Sequence, residues 1–190
     1  MSEQHTVTSL NSQLSQITQE ISALLAQFAS GFLSRQQLFD VLYPLVPPIA
    51  TQYGLSPYPV LGVITEESGG NAKVVSYTDA IGLMQIEPST AAEWGVTDTN
   101  ELYDPVTNVT TGCEILRWLM GKYASYGSLG ETMALAAYNS GSGNVDHSIK
   151  VSPASDPLSW LYSQSWGSGV EQYANNIEAL QALYESWGAP

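Results

Sequence analysis

The stretch ITEESGGNAKVVSYTDAIGLMQIEPSTAA, residues 64–92, places two adjacent glutamates between an apolar run and a double glycine. The positions i, i+3 and i+4 of one helical face, just before the glutamates, are filled by Val60, Val63 and Ile64. The next position on that face is Glu67, whereas Glu66 is turned about 100° away around the helix. The spacing therefore predicts that Glu67 extends the apolar face at a helix end.

A carboxyl group in that position is partly removed from water, which disfavours its charged form and raises its pKa. A glutamic acid that keeps its proton near neutral pH can act as a general acid. For a single glutamate, the alternative interpretation is an ordinary surface residue near a helix C-terminus. The chemistry of Glu67 therefore depends on what the following residues form.

The following segment, DAIGLMQIEPSTAAEWG at residues 79–95, has few charges and places Pro88 at the first position of a predicted helix. Gly82 permits a close approach of the backbone. Met84 and Gln85 combine an apolar surface with an amide that both donates and accepts, which suits N-acetylated sugars. The alternative is that the Gly-Leu-Met turn belongs to the core.

The rest of the chain indicates a mainly α fold. One helix is predicted over about residues 34–53, interrupted near its prolines, and another begins at Pro105 with Asp104 as its N-cap. Ser128 and Glu131 form a predicted capping box for the helix ETMALAAYN. A glycine-rich turn is expected at SGSGNV, and a loop over residues 151–168. The predicted final helix has an apolar face of Val170, Tyr173, Ile177, Leu180, Tyr184 and Trp187.

The single cysteine, Cys113, excludes an intramolecular disulfide and falls in the predicted buried stripe of the helix that begins at Pro105. Both histidines lie in polar segments, without the partners that a nucleophilic triad requires. We therefore interpret Cys113 as a core residue.

The N-terminal segment has its own pattern. Apolar residues alternate at spacings of four and three over residues 10–28, with serine, glutamine and threonine between them. This predicts an extra amphipathic helix that packs on its own domain, docks on a partner or self-associates. The expected organisation is therefore an N-terminal extension, residues 1–33, and a single domain, residues 34–190.

Composition limits the possible partners. The chain carries 18 acidic residues against five Lys and Arg, a formal net charge of -13. Such a surface repels phosphate backbones and anionic lipid headgroups, which argues against nucleic-acid binding and against adsorption to membranes. No apolar segment approaches the roughly 20 residues that span a bilayer, and the first residues lack a signal-peptide pattern.

Four blocks of sequence resemble, in order, the signature motifs of the lytic transglycosylases of the soluble Slt type. The blocks are EESGGNAKVVS, AIGLMQIEPSTA, LYDPVTNVTTG and ALAAYNSGSGNV, and VEQYANNIEAL resembles the closing helix of that family. The resemblance covers roughly residues 38–187, and four spaced motifs that agree are far more specific than one. It implies a mostly helical, lysozyme-like fold without a cofactor or a metal.

The same resemblance implies an activity and roles for particular residues. Family members cleave the glycan strands of peptidoglycan between N-acetylmuramic acid and N-acetylglucosamine, and leave a 1,6-anhydro ring. The motif register assigns the catalytic glutamate to Glu67, the residue that the helical spacing also selects. Implied substrate contacts are Ser76, the groove residues Met84 and Gln85, Tyr138, which would orient the Glu67 carboxyl, and Asn139 on the floor.

Two acids depart from the family pattern: Asp79 replaces a common glycine, and Glu87 replaces a common methionine. A second carboxylate at a suitable distance would activate water instead, giving a hydrolytic muramidase that resembles goose-type lysozymes. A non-catalytic wall-binding or virion structural protein is the alternative outside enzymes, and chitin is a lesser alternative substrate. The expected place of action is the bacterial cell wall, outside the cytoplasm. The missing signal and the possible docking helix favour a phage or virus lysis protein over an unconventionally exported bacterial enzyme.

Overall fold

Prolines, glycines and polar caps divide the chain into short helices. The computed structural model describes residues 34–188, together with residues 13, 15, 16 and 19, which are helical and exposed. The predicted apolar seam of the N-terminal helix lies outside the described residues, so its docking and self-association stay predictions. The division at residue 33 likewise stays a prediction.

The prediction of a mainly α fold is confirmed. The helices are α1 (Arg35–Leu42), α2 (Val46–Gln52), α3 (Pro57–Ser68), α4 (Pro88–Glu93), α5 (Pro105–Tyr123), α6 (Leu129–Ser140), α7 (Ser142–Val151), α8 (Ser159–Ser163) and α9 (Gly167–Trp187). Short 3-10 helices occupy Thr99–Tyr103 and Ala124–Tyr126. Isolated antiparallel bridges join Ile81 to Val75 and to Ile86.

Local chemistry explains the helix starts. The Ser34 side chain accepts from the Gln37 backbone, and the Gln37 side chain accepts from the Ser34 backbone, which forms a capping box. Asp104 accepts from the Thr107 amide at 2.8 Å, and Pro105 follows at the first helical position. The interruption predicted near the prolines is confirmed, since α1 and α2 are separate helices.

Three local predictions are wrong, wholly or in part. The Ser128 side chain makes no cap bond, and Glu131 is instead half-buried, with one carboxyl oxygen lacking a hydrogen-bond partner among the described residues. The segment SGSGNV ends α6 at Gly141, where φ is 85°, and then begins α7. Burial of Val145 explains why tertiary packing overrides the weak helix propensity of this segment. The predicted loop over 151–168 also contains α8.

The helix α9 organises the core by packing on α3, α6 and α8. Its approach to α3 requires Gly62, because a Cβ there would lie 2.9 Å from Ile177 Cγ2. Cys113 is fully buried, as predicted, in the larger of two apolar clusters. Within the described residues, no helix is long and apolar enough to cross a membrane.

Candidate active site

Glu67 lies in the last turn of α3, directly after the buried residues Val63 and Ile64. The helix ends one residue later, at Ser68, and the next residue, Gly69, adopts a left-handed conformation with φ of 58° and donates to the Thr65 carbonyl. The Glu67 side chain is half-buried. The apolar face of α3 thus continues into a carboxyl group, the arrangement that the spacing predicts.

A tyrosine from α9 holds this carboxyl group. The Tyr173 hydroxyl donates to Glu67 Oε1 at 2.6 Å, and Tyr173 itself is only 8 % exposed. Burial raises the pKa of Glu67 from 4.5 to about 7, the Tyr173 hydrogen bond opposes this rise, and the neighbouring Glu66 charge adds to it. Glu67 therefore populates both its protonated and its ionised form near neutral pH.

Glu66 has a different environment. Its Oε2 accepts from the Asn176 side chain at 2.9 Å, one helical turn along α9 from Tyr173. The two adjacent glutamates thus contact different residues of one helix.

The end of α3 is tied to the loop that follows it. The Ser68 hydroxyl lies 2.7 Å from the Leu83 carbonyl oxygen. In that loop Gly82 has a φ of 81°, and a Cβ there would lie 2.6 Å from the Leu102 carbonyl oxygen. A glycine is required at this position on both grounds, so the close backbone approach predicted for Gly82 is confirmed.

The fully buried side chain of Asn108, from α5, fixes the same loop. Its Oδ1 accepts from the Met84 amide at 2.8 Å. Its Nδ2 lies 2.9 Å from the carbonyl oxygens of Ile81 and Leu102. One amide group therefore satisfies three backbone groups in the interior.

Ser76 and Gln85 lie on this loop, and both are half-buried. The Ser76 hydroxyl oxygen accepts from the Thr78 and Ala80 amides, at 3.2 and 3.0 Å. The Gln85 backbone has a φ of 48°, and its side-chain nitrogen donates to the Gly82 carbonyl at 3.0 Å. Strained backbone of this kind concentrates at functional sites.

Two residues differ from what the resemblance implies. Met84 is fully buried against Gly112, so its side chain supports the loop from beneath and gives no surface to a groove. The Tyr138 hydroxyl donates to the Met84 carbonyl at 2.9 Å, and Tyr173 instead donates to Glu67. Tyr138 thus positions the loop and lies near Glu67, since burial and then the Glu67 charge raise the pKa of its hydroxyl. Asn139, beside it, is exposed at the end of α6.

The two additional acids, Asp79 and Glu87, are both exposed. Glu87 precedes α4 without capping it through its side chain. Asp79 adopts a φ of 64°, a conformation that favours glycine. The glycine common at this position in the family would therefore suit the observed backbone.

Replacing Asp79 by glycine and by alanine distinguishes the effect of backbone strain on stability from a function of the Asp79 carboxylate. The alanine variant should unfold with a free energy about 1 kcal/mol lower than the glycine variant, because only glycine adopts this φ without a steric cost. Denaturant unfolding measures the difference. Equal stability of the two variants would contradict the strain, whereas an equal loss of activity in both would assign a function to the carboxylate.

Neither Cys113 nor a metal-ligand cluster adds a second reactive site within the described residues. Burial, with the neighbouring Glu114 adding to it, raises the pKa of Cys113 to about 12, so its thiol stays protonated and unreactive. Over residues 34–188 and the four described N-terminal positions, no three His, Cys, Asp or Glu side chains lie together as metal ligands.

Tyr173 and Asn108 are the site residues that the sequence reasoning missed. For Tyr173 the signal was a hydroxyl group on an apolar helical face, since a buried tyrosine hydroxyl usually finds a partner. For Asn108 it was an amide beside the buried stripe of α5. Neither pattern shows which residues the Tyr173 hydroxyl and the Asn108 amide bind.

Comparison with known proteins reveals relatives. The model of the transglycosylase SLT domain family matches residues 45–160. The transglycosylase of Enterobacteria phage PRD1 is 37% identical over 101 residues, which are 53% of this chain and 35% of that protein. The membrane-bound lytic murein transglycosylase C of Haemophilus influenzae is 36% identical over 114 residues, covering 54% of this chain and 32% of that protein.

Solved structures show the same fold. A structure of an inactive mutant of the lytic transglycosylase Slt from Pseudomonas aeruginosa matches 80% of this chain and 26% of that chain, with a TM-score of 0.63 and 22% identity. The 70 kDa soluble lytic transglycosylase of Escherichia coli matches with a TM-score of 0.58 and 25% identity, covering 80% of this chain and 26% of that one. The chain spans about a third of the length of the curated relatives that it matches.

Proposed function

The chain belongs to the transglycosylase SLT domain family, and from this membership we propose that it is a lytic transglycosylase of peptidoglycan. The observation that carries the proposal is the Glu67 carboxyl group at the end of the apolar face of α3, held by the Tyr173 hydroxyl. The names of the phage and bacterial relatives support the same activity.

In the first step, protonated Glu67 donates its proton to the oxygen of the bond between N-acetylmuramic acid and N-acetylglucosamine. The bond between this oxygen and the anomeric carbon breaks as an oxocarbenium-like state develops on the muramoyl sugar. The Tyr173 hydroxyl then stabilises the resulting carboxylate, because a hydrogen bond to the charged form favours it.

In the second step, the Glu67 carboxylate removes the proton from the 6-hydroxyl of the same sugar. The oxygen attacks the anomeric carbon and closes the 1,6-anhydro ring, so Glu67 regains its proton and no water is consumed. A pKa of about 7 suits a group that must give and then take a proton.

The loop after α3 and the end of α6 supply the side chains that we expect to contact the substrate. We assign the contacts to Ser76, Gln85 and Asn139, because these side chains are half-buried or exposed, on the loop that follows α3 and at the end of α6. The Gln85 amide nitrogen is committed to backbone carbonyls of the loop. Its carbonyl oxygen is therefore the atom that we expect to accept the N–H of a substrate acetamido group.

Hydrolysis is the second candidate reaction, because the exposed carboxylates of Asp79 and Glu87 belong to the same stretch of chain as the loop. A carboxylate that activates water would give the product a free reducing end in place of the anhydro ring. The reaction product therefore distinguishes the two enzymes.

We further propose that the enzyme acts on the cell wall from outside the cytoplasm and serves a phage in lysis or entry. The phage PRD1 transglycosylase, 37% identical over the matched region, supports this origin. Detection of the chain in purified virions or in phage lysates would support the proposal, and its recovery only from uninfected bacteria would contradict it.

The test of the function is mass spectrometry of the soluble products released from purified peptidoglycan, over a range from acid to neutral pH. Anhydromuramoyl products support transglycosylation. Products heavier by one water indicate hydrolysis. If the folded protein binds the wall and releases nothing, the enzymatic proposal is contradicted and a wall-binding or structural role replaces it.

A further inference from the structure

The two adjacent glutamates of α3 are both held by α9. Adjacent residues of a helix point about 100° apart, so the position of Glu66 on the helix does not by itself bring its carboxylate to the buried side. Glu66 Oε2 nevertheless accepts from Asn176 Nδ2 at 2.9 Å, while Glu67 Oε1 accepts from the Tyr173 hydroxyl at 2.6 Å. Both carboxyl groups are thus turned toward the same helix.

A third residue of α9 fixes the orientation of the Asn176 amide. Gln172 Nε2 donates to Asn176 Oδ1 at 3.1 Å, from one helical turn away. Because the amide oxygen is bonded in this way, the amide presents its Nδ2 group, which only donates, to the Glu66 carboxylate. Gln172, Asn176 and Glu66 therefore form a chain of hydrogen bonds that holds a carboxylate in one place.

The spacing of the two partners keeps the carboxyl groups close to each other. Tyr173 and Asn176 are three residues apart on α9, and residues at that spacing are neighbours on a helix surface, with Cβ atoms about 5–6 Å apart. The carboxyl groups that they bind belong to adjacent residues of α3 and therefore lie within the distance of about 10 Å over which 0.1 M salt screens exposed charges. The Glu66 charge consequently acts on the proton of Glu67.

The other titratable groups that interact with Glu67, among the described residues, are two tyrosines. Tyr173 of α9 donates to its carboxyl group, and Tyr138 of α6 lies within reach of its charge. Burial, and then the Glu67 charge, raises the pKa of both hydroxyls well above their usual range, so both stay neutral. Glu66 is therefore the neighbour that brings a charge, and this charge favours the protonated form of Glu67.

The titratable neighbours of Glu66 are tyrosines as well. Its charge acts on Tyr173 and Tyr184, both from α9. Burial raises the pKa of Tyr184, although the hydrogen bond to Thr65 and the charge of Arg35 from α1 oppose the rise, so Tyr184 also stays neutral. Glu66 forms no ion pair with any residue that the structure describes. Its charge is therefore not neutralised by a direct contact.

A charge beside a general acid sets the pH range in which that acid works. Glu67 must carry its proton to begin the proposed reaction, and it loses this proton as pH rises through its pKa of about 7. A negative neighbour opposes ionisation and moves the loss to higher pH. Without the Glu66 charge, a smaller fraction of the enzyme would be protonated at pH 8.

We propose that Glu66 is a positioning residue of the reaction, whose carboxylate, held against α9 by Asn176, keeps the proton on Glu67 and extends activity toward higher pH. This role rests on the proposed function, since it concerns the proton that Glu67 transfers. The coupling between the two carboxyl groups does not depend on that function.

The first test compares the pH–rate profiles of Glu66→Gln and Glu171→Gln. Both variants lose one negative charge, glutamine keeps an oxygen that accepts from Asn176, and Glu171 is exposed on α9. Glu66→Gln should move the alkaline limb to lower pH by about 0.5 pH unit, which lowers product release about threefold at pH 8 and leaves it unchanged near pH 5. Glu171→Gln should move the limb by less than about 0.2 pH unit. Equal shifts in both variants, or a shift in neither, would overturn the proposal.

A double-variant comparison tests the part played by Asn176. Asn176→Ala releases the Glu66 carboxylate from α9, so it should move the limb in the same direction as Glu66→Gln but by less. Added to Glu66→Gln, it should cause no further shift, because the charge that it positions is already gone. The same shift with and without the Glu66 charge would show that Asn176 does not act through Glu66. Glu66→Asp, which keeps the charge, should restore the limb to within about 0.2 pH unit of the unchanged protein.

An NMR titration of the Glu67 carboxyl carbon separates this role from the proposed function. The pKa of Glu67 should be about 0.5 unit lower in Glu66→Gln than in the unchanged protein. If the unchanged protein releases no products while this pKa falls as expected, the proposed reaction fails and the coupling stands. If products are released and the Glu67 pKa does not respond to Glu66→Gln, only the role of Glu66 fails.

Discussion

Replacing Glu67 by glutamine should lower the rate of product release from peptidoglycan by about 10³-fold or more, because the amide can neither give nor take the proton. Glutamine keeps the size of the side chain and an oxygen that accepts from the Tyr173 hydroxyl. The measurement is the initial rate of soluble product release by the two proteins. A variant that keeps a tenth of the activity would contradict the assigned role of Glu67.

The same variant carries its own control for folding. Since the folded-state pKa of Glu67 is raised above 4.5, ionisation of this group destabilises the native protein as pH rises from about 4.5 to about 7. Glu67→Gln avoids this cost, so its Tm should exceed that of the unchanged protein at pH 8 and match it near pH 4. Lost activity with a raised Tm at pH 8 would exclude misfolding as the cause.

Replacing Asn108 by alanine should lower the free energy of unfolding by about 3 to 5 kcal/mol, because three buried backbone groups lose their partner at once. The groups are the Met84 amide and the carbonyls of Ile81 and Leu102. Denaturant unfolding measures the loss. Activity should fall as well, since the loop carries Gln85.

Asn100→Ala is the matched control for this variant. Asn100 is exposed, and its side chain donates to Asp98, two residues earlier, so its replacement should change the free energy of unfolding by no more than about 0.5 kcal/mol. Equal destabilisation by the two variants would show that Asn108 is not the residue that holds the loop. A protein too unstable to purify after Asn108→Ala would agree with the prediction only if Asn100→Ala is recovered normally.

Periodicity was enough to find Glu67 on the buried face of its helix. The apolar spacing that precedes Glu67 places it on the same helical face, and the residues of α3 alone show that this face is the buried one. The cap of α5 was equally predictable, because Asp104 bonds to a residue three positions away. Local chemistry determines such features.

The partner of Glu67 was not predictable in this way. Tyr173 lies 106 positions from Glu67, and their contact depends on how α9 crosses α3. That crossing depends on the absence of a side chain at Gly62, beside Ile177. Tyr138, which the family resemblance implied, lies near enough for the Glu67 charge, after burial, to raise its pKa, but its hydroxyl donates to the Met84 carbonyl.

Other failures share this cause. The capping box at Ser128 was a local inference, and Glu131 instead packs where burial raises its pKa. Met84 appeared suited to a groove, but Gly112 leaves a space in α5 that its side chain fills. In each case, packing between distant elements outweighed a preference visible in a few residues.

The most direct test is an NMR titration of the Glu67 carboxyl carbon, assigned by its absence from Glu67→Gln. The structure predicts a pKa of about 7 in the unchanged protein and a higher pKa in Tyr173→Phe, which removes the hydrogen bond that favours the charged form. A pKa near 4.5 in the unchanged protein would contradict a carboxyl group that gives and takes a proton near neutral pH. An unchanged pKa in Tyr173→Phe would contradict the role of Tyr173.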